Sequence, residues 1–446
     1  MSTIVFPTEL SLENRKPGYA GNLTEEQVSK LKDIWSRLLI LFEQPGEEIQ
    51  LPKQQETKPK KSGSLFSLGS KKEEPVQQYF LGVTSDPRWT ELSLGKALPL
   101  IPGKLLHTSF WGLVTTSNPD SIVLRFLRAR NWDTDAAYCM LVNTLRWRIH
   151  MRIDEIIALG ETGLIEALEK AKEGLGIAFK DQLDRKLVTL GGPDRRGRGV
   201  CFVNVQVHTK DNQPLEVIKL LTVYIMETSR TICDYPVDTV CIVFNLENFT
   251  LSNMDFEAVK FLVGCFQAYY PETLGLCCVH KAPWVFSTIW NLITPILDPV
   301  VASKILFTKT TEELEKYVDE DSLPIIITGN KDKPCIDDLP SNRESIPGQI
   351  ITDDPRAKLY WDTVAEYEAK TKDWAQTTVI DGIDRDAMDR LKMALQYRKI
   401  RIKAEKVLRG ETSYHTKGLI CIDHNDRFLI KYNTNTWREK DVTEWV

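Results

Sequence analysis

The hydrophobic pattern of this chain is most unusual from Ala282 to Leu297 (APWVFSTIWNLITPIL), a run without a single charge. Trp284, Val285, Phe286, Ile289, Trp290, Leu292, Ile293, Ile296 and Leu297 leave only small polar side chains between them. Pro283 suits the start of a helix, where its missing N–H costs nothing. Pro295 is expected to kink or end that helix. The apolar positions are not confined to one stripe, so the helix should meet apolar material on more than one side. It is too short to span a bilayer, which takes about 20 residues. Two readings stand: a buried core helix, or a helix that closes an apolar cavity or rests on a membrane.

The pattern before it is first helical, then strand-like. Thr24 and Gln27 form a capping box ahead of Val28, Leu31, Ile34, Trp35, Leu38, Leu39 and Phe42 at helical spacing. From Glu47 to about Gln78, Lys, Ser, Gly, Pro and Glu dominate, the composition of a disordered linker. Ser62, Ser64, Ser67 and Ser70 are candidate phosphorylation sites within it. Residues 79–118 have no clear period and read as loops and short helices. Asn118 or Asp120 caps one helix, Asp133 or Thr134 the next, and one or two more lie between Glu155 and Lys172. Lys186–Leu190 and Val200–His208 then read as strands of a hairpin around GGPDRRGRG, which is not a phosphate loop because no G-K-[ST] follows. Val237–Leu246 and Leu274–His280 are nearly continuous apolar runs, the pattern of strands covered on both faces. Helices from Pro214 and from about Asn253 separate them, and Ile305–Thr308 is a last short strand. This alternation predicts a mostly parallel sheet.

Beyond Asn330, prolines and charges mark a second linker. Helices follow over Arg356–Thr378 and about Arg385–Arg409, then a hairpin around His424-Asn425-Asp426. The second helix is strongly basic, and either packs on the protein with a solvated face or lies on an anionic membrane.

Composition narrows the function. The chain has 446 residues, enough for two or three domains, and is 42% hydrophobic and 27% charged. A net charge of -5 argues against a nucleic-acid binder. Nine cysteines without a C-x-x-C pair and six isolated histidines give neither a disulfide framework nor zinc spacing. The first residues lack a signal peptide's apolar core, and no stretch reaches transmembrane length. A soluble cytoplasmic protein with peripheral membrane contact is expected. There is no G-x-S-x-G elbow, Walker motif or G-x-G-x-x-G after a strand, so no catalysis and no metal are expected.

Two sets of residues carry a family resemblance. Val123-Leu124-Arg125-Phe126-Leu127-Arg128-Ala129-Arg130, followed by Asn131-Trp132-Asp133, resembles the N-terminal helical unit of the CRAL-TRIO lipid-binding family. Tyr270-Pro271-Glu272, Ala282-Pro283, and Leu297-Asp298-Pro299 through Ser303-Lys304-Ile305 resemble its lipid domain, in particular that of fungal phosphatidylinositol-transfer proteins. The resemblance spans about residues 119 to 330. It implies an α/β fold in which a mostly parallel sheet floor under a helical lid encloses a cavity for one lipid. The expected division is an N-terminal arm and helix (1–45), a linker and irregular insert (46–118), a small all-helical unit (119–175), the lipid-binding domain (176–333) and a helix-rich C-terminal extension (334–446). The charge-free run would be the gate. A phospholipid's two chains carry on the order of 28 methylenes, and at about 0.8 kcal/mol each their exposure costs roughly 20 kcal/mol, so a carrier must wrap them completely.

The resemblance also implies site residues. Arg130 and Lys304 would neutralise the phosphate of phosphatidylinositol, while Glu272 would accept inositol hydroxyls and pair with Lys304. Asn131 and Val301 depart from relatives that have a second cation and a threonine there. Val240, Ile242 and Phe266 are apolar where relatives that carry phosphatidylcholine have hydroxyls. A choline headgroup would lack partners, so phosphatidylcholine should be excluded and a sterol or isoprenoid is the expected second ligand. Trp284, Phe286, Ile289, Trp290, Ile293, Leu297 and Val301 complete the expected cavity and gate. The expected protein is a monomeric, non-catalytic carrier that visits endoplasmic reticulum, endosome or lipid-droplet membranes. The alternative is a lipid-sensing scaffold without fast transfer.

Overall fold

The computed structural model describes residues 10–47, 87–210, 212–233, 236–332, 335, 338–341, 343–348, 353–377, 386–432 and 439–446. The expected linker, with its four serines, lies outside them. The centre of the fold is a five-stranded sheet in sequence order: β1 Val188–Gly191, β2 Val200–Asn204, β3 Val240–Asn245, β4 Leu274–His280 and β5 Ile305–Thr308. β1 and β2 form the expected antiparallel hairpin, and β2 to β5 are parallel. The sheet is therefore mostly parallel, as its apolar runs indicate. β2 is shorter than its alternating valines suggest, because Val205–Val207 turn into a 3-10 helix. Val205 thereby packs with Leu246, Phe249 and Phe286 in a small cluster under the charge-free segment.

The long helices divide by what they bury. Leu215–Ser229, capped by Pro214, and Phe256–Gly264, capped by the Asp255 carboxylate, lie on the cavity side of the sheet. The latter continues as a π-helical turn over Cys265–Tyr269. A second core joins Glu25–Phe42, Gly103–Val114, Pro119–Ala129 and Thr134–His150 to Pro355–Gln376 and Ala387–Leu408. Gly103–Val114 is a full helix where the sequence suggested loops and short helices. Its face, with Leu106, Phe110, Trp111 and Leu113 buried, is plain only once its neighbours are present.

The basic helix Ala387–Leu408 is sorted by residue type. Arg390, Arg398 and Arg401 are buried, whereas Lys392, Lys399, Lys403 and Lys406 are exposed. Arg390 holds Asp120 beside Tyr367 and Thr371, and Arg398 donates to the carbonyls of Thr116 (2.6 Å) and Val442 (2.7 Å). The helix is packed on the protein, because guanidinium groups tie it to the core through several directed donors each, and its lysines form the solvated face.

The helix Ile153–Ala171 is broken at Gly160, whose φ of 65° and ψ of -164° no side-chain-bearing residue adopts readily. The C-terminal segment enters the break. Gly410 N donates to Ile157 O (2.9 Å), Glu161 N to Glu411 O (2.8 Å) and Gly348 N to Leu159 O (2.8 Å). A Cβ on Gly160, Gly348 or Gly410 would run into backbone of the facing segment.

Candidate functional site

Parallel strands place their N-terminal ends along one edge of the sheet. Asp238, Glu272 and Lys304 stand just before β3, β4 and β5 and so share that edge. Glu272 adopts a φ of 56° at the turn into β4. Its carboxylate takes Nε of Arg128 at 2.6 Å, and its carbonyl takes Nη1 of Arg125 at 3.2 Å. Arg125 also donates to the Asp238 carbonyl at 2.6 Å. Arg128 is covered by the Tyr19 ring, 4.0 Å from its centroid, and bonds the Gly18 carbonyl at 2.9 Å.

Arg128 is the helix cation that meets Glu272, while Arg130, expected beside the lipid phosphate, does not reach this carboxylate. Arg130 is the C-cap of its helix and exposed, and among the described residues its guanidinium hydrogen-bonds its neighbour's carbonyl (Ala129 O, 3.3 Å). Two residues along a helix is about 200° of rotation, so the two arginines leave on opposite sides. Nor is Lys304 ion-paired with Glu272: its ammonium donates to the Leu274 carbonyl at 2.7 Å. Burial lowers the Lys304 pKa, while Glu272 nearby acts to raise it.

Leu274 leads directly into a cavity of about 260 Å³. Val240, Ile242, Phe266, Phe286, Trp290, Ile293, Leu297 and Val301 all line it. Most polar groups in its wall are engaged; the exception is Nε2 of His208, which stands 3.5 Å from the Asp255 carboxylate without a hydrogen bond. Thr222 and Ser229 donate to carbonyls of their own helix, Tyr270 donates to Glu227 at 2.7 Å, and Asp255 caps the helix after it. The imidazole of His208 contacts Gln213 through Nδ1 at 3.1 Å, and burial lowers its pKa, so it is neutral near pH 7.

The charge-free segment closes this cavity. Its helix spans Phe286–Ile293, with Thr294–Ile296 as a 3-10 turn around Pro295. It begins three residues after Pro283, because Pro283 and Trp284 form a turn first. Phe286, Ile289 and Ile293 are buried at helical spacing, and Ile289 packs with Leu246 and Phe249 rather than lining the cavity. The outer side carries Ser287, Thr288, Asn291 and Leu292. Trp284 is 87% exposed and stands outside the cavity, with Leu292, Val300 and Phe307 also exposed. Among the described residues no helix is long and apolar enough to cross a membrane, and no His, Cys, Asp or Glu group could hold a metal.

A carbon-walled chamber, a door without charge and a polar edge beside it define a lipid-binding protein of the class suggested by the sequence. The chain belongs to the CRAL-TRIO family. It matches the CRAL/TRIO domain over residues 183–329 and the CRAL/TRIO N-terminal domain over residues 71–143. It is 33% identical to CRAL-TRIO domain-containing protein C3H8.02 of Schizosaccharomyces pombe over 74% of this chain and 72% of that protein. It is 32% identical to phosphatidylinositol transfer protein CSR1 of Eremothecium gossypii over 71% of this chain and 78% of that protein. Among solved structures it superposes loosely on Sfh5, with a TM-score of 0.39 and 18% identity over 52% of this chain and 77% of that one.

Proposed function

We propose that this protein is a non-catalytic carrier that withdraws phosphatidylinositol from one membrane and delivers it to another. The observation that carries this reading is the junction at Leu274. Its side chain walls the hydrocarbon cavity while its carbonyl anchors the ammonium of Lys304, so one residue joins the apolar chamber to the charged edge. Arg125, Arg128 and Lys304 supply positive charge for a phosphodiester, and Glu272 supplies an acceptor for inositol hydroxyls. For a headgroup to enter, Arg128 has to exchange part of its contact with Glu272 and Tyr19 for the ligand. The similarity to a phosphatidylinositol transfer protein supports the same assignment.

Exclusion of phosphatidylcholine is part of the proposal. A choline headgroup in the cavity would meet Val240, Ile242 and Phe266, and the nearby hydroxyls already donate to protein carbonyls and to Glu227. Burial of such a group without partners costs several kcal/mol. The closed cavity lies just under the volume of about 300 Å³ at which drug-sized pockets begin. The almost wholly apolar wall suits a sterol or isoprenoid as second ligand, and a two-chain phospholipid, much larger than this volume, requires the gate to move. Trp284, Leu292, Val300 and Phe307 give the surface on which the open form would meet a membrane.

Mass spectrometry of lipids extracted from the purified protein, paired with vesicle transfer of labelled phospholipids, tests the assignment. The expected result is phosphatidylinositol in the extract, transfer of phosphatidylinositol alone, and loss of that transfer in Lys304→Ala and Glu272→Ala. Equal transfer of phosphatidylcholine would end the specificity claim, and an empty extract with no transfer of either lipid would end the carrier claim.

A further inference from the structure

The helix Thr134–His150 has a second face that the lipid cavity does not use. Ala136, Cys139, Met140, Asn143, Arg146, Trp147 and His150 recur at three- and four-residue steps, so they form one stripe. Together with Trp89, Arg130, Ala268 and Tyr269 the stripe lines a separate pocket of about 530 Å³. None of these residues lines the Val240–Phe266 cavity. The apolar part of the pocket is aromatic: Trp147 lies flat on Tyr269 with centroids 4.1 Å apart and planes 2° from parallel, and Trp89 is nearby.

The polar part is cationic, and no carboxylate lines the pocket. Arg146 is only 6% exposed. It donates Nε to the Arg88 carbonyl (2.5 Å) and Nη2 to the Leu92 carbonyl (2.8 Å). Those carbonyls take two of its five N–H donors and leave its charge unmatched. Among the described residues neither Arg146 nor Arg130 has a carboxylate partner. His150, beside Arg146, has a buried Nδ1 without a hydrogen bond. A buried guanidinium without a counter-charge is costly, and the other buried arginine of this helix, Arg148, is held by both Glu227 and Asp154. The contrast between Arg146 and Arg148, two residues apart, marks the pocket as the place where negative charge is missing.

We propose that this pocket is a second binding site, for a small phosphate ester. Arg146 and Arg130 take its phosphate oxygens, with His150 and Asn143 as further partners, and its organic part rests on Trp147, Tyr269 and Met140. Two guanidinium groups match a phosphate dianion, because each offers paired N–H donors to adjacent oxygens. The pocket has room for more than inorganic phosphate. The same chemistry is presented by a soluble phosphate ester and by a phospholipid headgroup. The inference does not depend on what fills the apolar cavity.

Isothermal titration calorimetry of the full chain with inorganic phosphate and with glycerol phosphate, and flotation with phosphatidylcholine vesicles with and without phosphatidic acid, tests the site. Saturable heat with the soluble anions, weakened about tenfold in Arg130→Gln and unchanged in Lys304→Ala, establishes a site for free phosphate esters apart from the lipid edge. Binding only to the phosphatidic-acid vesicles, weakened in Arg130→Gln and unchanged in Lys304→Ala, assigns the site to a headgroup. Arg146→Gln should weaken either form further. Arg130→Gln is the deciding variant because that side chain is exposed and holds no other element in place. No response to any probe, or binding indifferent to both arginine substitutions, overturns the proposal.

Discussion

The two sides of this molecule bury opposite things. Beneath the gate the wall is almost entirely carbon, its contacts have no preferred direction, and it is hollow. Toward the helical frame the interior is filled with paired charge. Arg148 sits between Glu227 (2.7 Å) and Asp154 (2.8 Å), Arg230 reaches Glu227 at 3.0 Å, and Arg390 holds Asp120. Tyr270 joins the two sides, with its ring in the cavity wall and its hydroxyl on Glu227. Apolar contacts can re-form in many arrangements at similar free energy, whereas buried ion pairs tolerate few. The gate side can therefore repack around a ligand while the frame keeps its shape.

The sharpest way to break this comparison is at Glu227. Burial alone would raise its pKa, but Arg148, Arg230 and the Tyr270 hydroxyl bring it down to about 2. Glu227→Gln leaves Arg230 without its carboxylate and Arg148 with Asp154 alone, and is expected to lower stability by about 3–5 kcal/mol in urea unfolding. A change under about 1 kcal/mol would mean that the frame is not held by this cluster. On the apolar side, Ile293→Lys puts a charge without partners where Ile293 borders the cavity, and co-purified lipid should disappear. Retention of lipid at the native level would contradict a gate at this helix.

Acid should reveal both sides in turn. Burial, aided by neighbouring cations, holds His280 and His415 neutral, each with a pKa of about 4 against 6.5 when free. The unfolded chain therefore takes up protons first, and stability should fall as pH drops from about 6.5 to 4. Glu227 contributes in the same sense at lower pH: its stabilisation is complete above about 4.5 and disappears as pH falls toward 2. A stability profile flat from pH 7 to 4 would exclude the histidine contribution. The smallest effect is expected at Trp284. Trp284→Ser should change stability by less than about 0.5 kcal/mol, since the ring is mostly in solvent. It should nevertheless weaken vesicle association in flotation, and unaltered flotation would move the membrane contact elsewhere.

Legibility in the sequence followed the same divide. β4 was readable to the residue, because a doubly covered strand is a simple apolar run, and β5 because its short apolar run ends at Thr308 before charged residues. The charge-free helix was readable because its lack of charge is a local property. The partner of Glu272 was not, since Arg125, Arg128 and Arg130 share one short stretch and only packing decides which faces the sheet edge. The buried arginines of Ala387–Leu408 were equally hidden: by composition alone, a helix that ties a core together resembles one that faces water.

The break at Gly160 has a consequence for anyone wishing to trim this protein. A kinked helix leaves main-chain groups open in mid-span, and here Gly348, Gly410 and Glu411 close them. The last hundred residues thus act like a keystone: lifting them out would leave an arch with unmet joints, not a smaller version of the same building.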